Sequence, residues 1–419
     1  MSDKEPLLFL AHRIPYPPNK GDKIRSFHLL EDLSAHYDVH LGAFVDDQRD
    51  WANAGHLRSY CADTHLVPLA QGPARVRSLG GLVTGRPLSL PFYRDRRMAA
   101  WVGRVLERVR PHRMVVFSSV MAQYLPRRKV PEARRVLDMV DVDSAKWSQY
   151  GRMRSGPLGW VFRREGRRLS EVERVAAADF DATVLVSRTE LELLAAAAPG
   201  ARDRLAWIGN GVDTAHFSPE GDYPDPLPGE GPVLVFTGAM DYWANVDAVT
   251  WFANEVWPRV RARCPEARFF VVGARPTETV RGLDAHPGIT VTGTVPDVRP
   301  YLAHAAAAVA PLRVARGIQN KVLEAMAMAR PVVATGAALD GLEGLEDYPL
   351  RGEDAESLAA AARSVLSGES PVSGRDLRAW VAVHYTWEAH LKRFRSLVEG
   401  GSAPEPASRT AARTMEEAG

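Results

Sequence analysis

Cysteine is almost missing from this chain. Cys61 and Cys264 are the only two in 419 residues and stand far apart, so no disulfide framework is implied and a reducing compartment is expected. Long hydrophobic runs are missing too. Nothing approaches the roughly eighteen apolar residues of a spanning helix, and the apolar run in MSDKEPLLFLAHRIPYPPNKG is too short for a secretory signal. Both absences point to a cytoplasmic protein. No G-x(4)-G-K-[ST] occurs, which excludes a Walker-type ATPase. No Cys/His spacing suits zinc, and no G-x-S-x-G elbow supports hydrolase chemistry of that kind.

What is present has the balance of a globular chain, 46% apolar and 25% charged. Its length suffices for two domains, each with its own core. The net charge of +2 is unevenly divided: residues 1–215 hold 33 Lys+Arg against 25 Asp+Glu (+8), and residues 216–419 hold 20 against 26 (−6). A basic first half implies that it meets something anionic: a nucleic acid, a phosphorylated acceptor or the cytoplasmic membrane leaflet. The competing reading is a solvated Arg-rich surface.

Strand-like and helix-like segments alternate along the chain. Leu7–Leu10 is a short apolar strand, Ile24–Tyr37 has helical periodicity and Val39–Val45 is a second strand. MVVFSS, RVLDMV, a long Arg-rich helix, ATVLVS and RLAWIGNG continue the pattern, which is that of a parallel α/β sheet. Phe217–Pro232, rich in Pro, Gly and Asp, interrupts it and marks a boundary region. The alternation restarts with VLVFTG and runs through ARFFVVG, ITVTG, AAVAPL and PVVAT. The expected domains are 1–216 and 217–384, each Rossmann-like, a helix at 385–400 packing back on the first, and a disordered tail at 401–419. Ligands of such sheets bind beyond the carboxyl ends of the strands, so the cleft between domains is the default site.

The segment ARGIQNKVLEAMAMARPVVAT (Ala315–Thr335) places Gly317, Gln319, Asn320 and Lys321 at the start of an Ala/Met helix, with Glu324 one turn further in. Free amides and the helix dipole attract an anion there. Gly317 allows close approach, Lys321 adds a full charge, and Glu324 can accept hydrogen bonds from two ribose hydroxyls. A nucleotide diphosphate sugar needs these features together. The competing reading is a capped core helix with a Glu–Lys pair.

KVLEAMAMARPVV resembles the EAMA-x-G-x-PVV signature of retaining GT-B glycosyltransferases of the large family 4 group. GNGVDTAHFSP (Gly209–Pro219) resembles that family's NGVD-x-x-x-F-x-P segment, and GITVTGTVPDVRPYLAHAAAAVAPL its strand with nucleotide-base contacts, where Val295 falls. FTGAMDYWANVDAV and DMVDVDSAKW look narrower still, similar to sugar transferases of exosortase-associated (PEP-CTERM) exopolysaccharide loci. The resemblance implies two facing Rossmann-like domains, a nucleotide diphosphate sugar donor bound by the second, and no metal cofactor. It departs at the family's E-x(7)-E motif, whose first Glu is replaced by Arg316; Arg316, Gly317 and Gln319 are the expected substitutes. The Arg/Lys pair after the first strand of the second domain is also missing, the loop there being GAMDYWANVD with Gly238 at its head. Diphosphate charge then falls to Lys321, Arg313 or Arg316 and to helix-end amides near Asn245.

In the first domain, the resemblance places the GDKIR loop near the donor phosphates, with Gly21 allowing close approach and Lys23 and Arg25 binding the anion; a plain helix cap by Asp22 competes. Asp141 and Asp143 spell the D-x-D that GT-A transferases use to hold a metal. In a chain with two nucleotide-binding halves, the expected role is acceptor activation by Asp141, with Asp143 and Lys146 on the acceptor side. Arg152–Val175 carries seven Arg against three Glu beside Trp160 and Phe162; it suits an anionic membrane through Arg163, Arg164, Arg167 and Arg168, or a packed helix with a wet Arg face.

The sequence thus reads as an α/β protein of GT-B form that moves a hexose, with retention, from a nucleotide diphosphate sugar to a hydroxyl of a glycan, lipid-linked or small-molecule acceptor. Peripheral membrane association is an accompanying expectation, and no nucleic acid is expected as partner. A GT-B type nucleotide-sugar epimerase and a non-catalytic nucleotide-sugar or polyanion binder are the alternatives.

Overall fold

The computed structural model describes residues 4–18, 21–126, 132–315 and 317–401. The expected tail at 401–419 lies, from 402 onward, outside them. The described chain divides into two compact units. One comprises the residues up to Gly209 together with those from His390 onward; the other is Asn210–Ala389.

The first unit is built on a seven-stranded parallel sheet in the order β3-β2-β1-β4-β5-β6-β7. Its strands are β1 (Pro6–Ala11), β2 (Asp38–Val45), β3 (Asp63–Pro68), β4 (Arg113–Phe117), β5 (Arg134–Val140), β6 (Ala182–Leu185) and β7 (Leu205–Trp207). Central strands of a parallel sheet are covered on both faces and read as unbroken apolar runs. Accordingly Leu7 to Ala11 of β1 are all fully buried. Leu8, Leu10, Phe44, Trp101, Met114, Val116, Leu137 and Leu185 belong to one contiguous core. Burial of each large side chain contributes roughly 1.5–3 kcal/mol.

Four helices of this unit matter below: α1 (Gly21–His36), α2 (Gln71–Thr84), α3 (Asp143–Met153) and α4 (Gly156–Asp179). A further helix, Trp387–Glu399, lies against the sheet's edge. Its Leu397 carbonyl accepts from Arg134 Nε at 3.0 Å, and its Arg393 donates to the Trp207 carbonyl at 3.1 Å.

The second unit holds a five-stranded parallel sheet, β10-β9-β8-β11-β12. Its strands are β8 (Val233–Thr237), β9 (Arg268–Val272), β10 (Ile289–Gly293), β11 (Ala307–Ala310) and β12 (Val332–Ala334). Phe236, Phe252, Trp257, Phe269, Val322 and Met326 are buried around it. Two of its helices frame the site, α5 (Trp243–Trp251) and α6 (Asn320–Ala327).

Both sheets reverse their strand order once, between β1 and β4 in the first unit and between β8 and β11 in the second. Loops leaving the carboxyl ends of these strand pairs diverge to opposite faces and open a crevice, the usual ligand position in such sheets.

Candidate functional site

In the second unit the crevice lies between the loop after β8 and the loop that leads from β11 into α6. Lys321, in the first turn of α6, donates from Nζ to Asn245 Oδ1 at 2.7 Å and sits 3.9 Å above the Phe236 ring centroid. Asn245, in the first turn of α5, donates from Nδ2 to the Ala239 carbonyl at 2.9 Å, which fixes its oxygen toward the lysine. Gly238 completes the cradle. A Cβ there would come within 2.8 Å of Asn245 Nδ2 and 3.1 Å of Lys321 Nζ, so only glycine leaves the ammonium its place.

Lys321 and Glu324 are half-buried and face one another electrostatically. Burial pushes the Lys321 ammonium down to about 7, against the opposing pull of Glu324. Burial likewise pushes the Glu324 carboxyl up to about 7, against Lys321. A cation hydrogen-bonded to a neutral amide in a low-dielectric setting is poised to receive an anion.

The structure therefore gathers Gly238, Asn245, Lys321 and Glu324. Asn320 stands at the same helix start, accepting at Oδ1 from Asn210 Nδ2 at 3.0 Å. Gly317 takes φ +61 in the loop that precedes it, a conformation open to glycine. Gln319 is the N-cap residue of α6, without a capping bond from its side chain. Val295 lies in the loop after β10 and is half-buried. Arg313 is held apart from the lysine's partners: its guanidinium grips the Asp247 carboxylate and covers the Trp251 ring. Arg316 lies outside the described residues.

The first unit departs from expectation at the GDKIR segment. Gly21, Lys23 and Arg25 form the first turn and a half of α1, but both cations are buried, at 1% and 2% exposure. Lys23 Nζ is 2.5 Å from Asp50 Oδ2. Arg25 Nε donates to Asp138 Oδ2 at 2.7 Å, and its Nη1 donates to the carbonyls of Ile208 and Gly209 at 2.9 and 3.0 Å. These charges are neutralised inside the fold and serve its framework, not an incoming phosphate. The helical spacing had aimed them inward; their partners, far away in sequence, could not be read from it.

A different group occupies the carboxyl edge beside β1, one that sequence reading missed. His12 follows β1 directly and stacks on Phe117 at 5.7 Å between ring centroids, with Tyr93 edge-on at 5.8 Å. Its Nε2 lies 3.3 Å from Asp22 Oδ2, and its Nδ1 is buried with no partner among the described residues. Arg13 Nη1 donates to the same Asp22 oxygen at 2.7 Å. Burial alone would raise the Asp22 carboxyl, but the His12 hydrogen bond and the Arg13 charge hold it far below the usual carboxylate range. The available signal was a His at a strand's end followed by an Asp at a helix start.

At the end of β5, Val140 takes φ +68, an uncommon conformation for a β-branched residue, and Asp141 follows it. The amides at the start of α3 are claimed by carboxylates from other helices. Val142 N donates to Glu190 Oε2 at 2.7 Å and Ser144 N to Glu173 Oε1 at 3.0 Å. Capping is thus not the work of Asp141 or Asp143. Asp141 Oδ1 is buried without a partner among the described residues. Burial, with Glu190 next, pushes its carboxyl up to about 7, while Lys146 opposes the shift. Asp143, Lys146 and Asp141 are thereby brought within electrostatic reach of one another. Among the described residues no three His, Cys, Asp or Glu side chains are placed to hold a metal ion.

Of the four arginines expected to face a membrane, Arg164 is buried and donates to the Gly81 and Arg86 carbonyls, and Arg163 donates to Gly151. Arg167 and Arg168 are exposed. Among the described residues no helix is long and apolar enough to cross a membrane.

Two parallel-sheet units, each with a site at its switch point, make the GT-B fold. Solved structures similar over nearly the whole chain have it: WaaG, a glycosyltransferase involved in lipopolysaccharide biosynthesis (15% identity, 94% of this chain and 100% of that one, TM-score 0.64); a glycosyltransferase from Rickettsia africae (11%, 95% and 99%, 0.62); and Anabaena HepE in complex with UDP and glucose (12%, 94% and 100%, 0.59). No curated protein matches the sequence. Residues 231–368 match the family model described as Glycosyl transferases group 1, a range that includes β8 to β12 and the whole Gly238–Asn245–Lys321–Glu324 cluster. The second unit therefore carries a group 1 glycosyl transferase domain, and the chain is a nucleotide-sugar-dependent glycosyltransferase.

Proposed function

We propose that the protein transfers a hexose from a nucleoside diphosphate sugar to a hydroxyl of a glycan or lipid-linked acceptor, with retention of anomeric configuration, in polysaccharide assembly of the exosortase-associated kind. The observation that carries this reading is the Lys321–Asn245–Gly238 cradle with Glu324 one turn behind it. Lys321 receives the diphosphate, whose charge grows as the sugar–phosphate bond breaks, so the ammonium stabilises the transition state more than the bound donor. Glu324 accepts from the ribose hydroxyls. The glucose and UDP in the HepE complex support a hexose donor of this class. On the first unit, Asp141 and the His12–Asp22 pair are the groups able to take a hydroxyl proton. The chemistry proceeds without a metal cofactor, and the enzyme works at the inner face of the membrane.

Nucleotide release from UDP, GDP and TDP hexoses, with the product's anomeric configuration followed by NMR, tests the reading. Transfer that survives chelator and keeps the donor's configuration supports it. Release of a new nucleotide sugar identifies an epimerase, and no turnover of any donor leaves a binder. Loss of turnover in chelator, restored by manganese, revives the D-x-D pair as a metal site.

A further inference from the structure

The backbone that carries Asp141 is bent in an unusual way. Asp141 N donates to the Met139 carbonyl at 3.0 Å across Val140, whose φ of +68 gives this tight turn its rare, strained hand. The pairing of β5 with β6 slips at the same place: Asp138 opposes Val184 and Val140 opposes Leu185, so β5 holds one residue extra. A bulge of this kind re-aims the side chain beside it. Strained backbone persists only where its surroundings impose it.

Two distant carboxylates impose it here. Glu190 Oε2 accepts from Val142 N at 2.7 Å, and Glu173 accepts from Ser144 N at 3.0 Å and from the Ser144 hydroxyl. Glu173 comes from α4. Glu190 comes from the first turn of the helix Arg188–Ala197, where its own amide donates to Ser187 Oγ at 3.3 Å. Their exposures are only 1% and 2%. A helix start is ordinarily capped by the side chain just before it. Val142, at the N-cap of α3, offers no such bond. Desolvating two carboxylates is still a heavier demand than a local Ser or Asp would make. What they secure beyond a cap is the place of residue 141.

The charged groups that face Asp141 are Glu190 from that helix, Lys146 and Asp143 from α3, and Arg25 from α1. Burial resists its ionisation most and Glu190 next; Asp143 adds to this, while Lys146 and Arg25 oppose it. Burial pushes the Glu173 carboxyl up to about 8, so near neutrality it grips Ser144 without adding a second charge.

We propose that Glu190 and Glu173 are positioning residues of the transfer reaction: by gripping the Val142 and Ser144 amides they hold the strained Val140 turn so that Asp141 Oδ1 meets the acceptor hydroxyl at the carboxyl edge of the first sheet. Glu190 has a second effect, since its negative charge makes Asp141 a stronger base. The assignment rests on the proposed function in taking Asp141 as the group that accepts the hydroxyl proton.

Two readouts test it. The Asp141 carboxyl is followed against pH by NMR of isotope-labelled aspartate, its signal identified by its loss in Asp141→Asn and read without substrate. Nucleotide release from UDP, GDP and TDP hexoses is measured over the same pH range. Glu190→Gln keeps an oxygen for the Val142 amide and removes the charge. In it the Asp141 midpoint moves from about 7 to lower pH, and the rise of kcat/KM moves with it. Glu190→Ala loses on the order of a hundredfold in kcat at an unchanged donor KM, and Glu190→Gln recovers most of that loss. Glu173→Gln can still accept from Ser144 and shows the parent's pH profile near neutrality, whereas Glu173→Ala loses turnover as Glu190→Ala does. An Asp141 midpoint unmoved in Glu190→Gln, or folded alanine variants with the parent's kcat, overturns the proposal and leaves two helix caps. Where an alanine variant does not fold, the pH displacement in Glu190→Gln decides. A parent that releases no nucleotide from any donor refutes the transferase reading, on which the substrate-free Asp141 midpoint does not depend.

Discussion

Binding of a nucleotide sugar is expected to move protons, and in opposite directions on either side of neutrality. In the unliganded site, burial holds Lys321 down to about 7 and Glu324 up to about 7. A bound donor asks for both charges, the ammonium for the diphosphate and the carboxylate for the ribose. One pH unit below 7, Lys321 is about nine-tenths charged already and Glu324 about nine-tenths neutral, so binding releases about 0.8 proton net. One unit above, the roles exchange and binding takes up about 0.8. A nucleotide sugar has no phosphate titrating in this range, so the protein alone accounts for the signal. The assay is titration calorimetry at each pH in two buffers of different ionisation enthalpy. Lys321→Met should abolish the uptake above neutrality and keep the release below it; Glu324→Gln should do the opposite and weaken the donor by about 1.5–3 kcal/mol. Lys321→Met should also slow turnover more than it weakens binding, by on the order of a hundredfold or more. A parent with no proton linkage at either pH, or a Lys321→Met variant that keeps the uptake, refutes the cradle as the diphosphate site.

Three further outcomes are expected. Arg25→Met leaves Asp138 buried and uncompensated and should cost about 3–5 kcal/mol in thermal or urea unfolding, much of it recovered in Arg25→Met/Asp138→Leu; unchanged stability of the single variant refutes the framework role. Asp141→Asn should lower turnover by about 10²–10⁴ and remove the rise of kcat/KM with pH through about 7, since the carboxyl must be ionised to accept a proton; a parent-like pH profile excludes it as the base. Asp22 lies below its ordinary value of 3.8 when folded, so the parent's stability advantage over Asp22→Asn is full above that pH and declines as the pH falls through the acid range; an advantage constant down to the acid limit contradicts the His12 and Arg13 pairing.

The central strands were legible because their burial writes itself as unbroken runs: LLFL, VLVF and FFVV are β1, β8 and β9 in all but their end residues. β3 was not, because DTHLVP is an edge strand with one fully buried residue and no periodicity to read. α2 was missed for a different reason. A helix recognised by an apolar stripe on a polar background fails when glycines and arginines interrupt the stripe and the apolar side chains face outward. In the candidate site, residues close in sequence were found together: Lys321 and Glu324 share a helical turn, and their motif was visible. Val140's strained backbone, the capping of α3 by Glu173 and Glu190, and the Asp50 and Asp138 partners of Lys23 and Arg25 all depend on long-range geometry that no local pattern encodes.

That last pair shows why sequence alone overcounted the phosphate ligands. A basic residue beside a glycine at a helix start is compatible with two fates, and the difference is whether the fold supplies its counter-charge. Lys23 and Arg25 receive theirs within the first unit, at a cost in desolvation that their carboxylates and carbonyls offset. Lys321 is given a neutral amide, an aromatic face and a glycine that makes room, and Glu324, the carboxylate that acts on it, is itself driven toward neutrality by burial. Desolvation that is not compensated inside the protein is a standing demand on the ligand: in the proposed reading, a nucleoside diphosphate brings its phosphates to the Lys321 ammonium and its ribose hydroxyls to the Glu324 carboxylate. The same asymmetry separates Asp141 from Glu173 and Glu190. The two glutamates are satisfied by helix amides, whereas Asp141 keeps a buried oxygen unpaired at the carboxyl edge of the first sheet, where an acceptor hydroxyl would complete it.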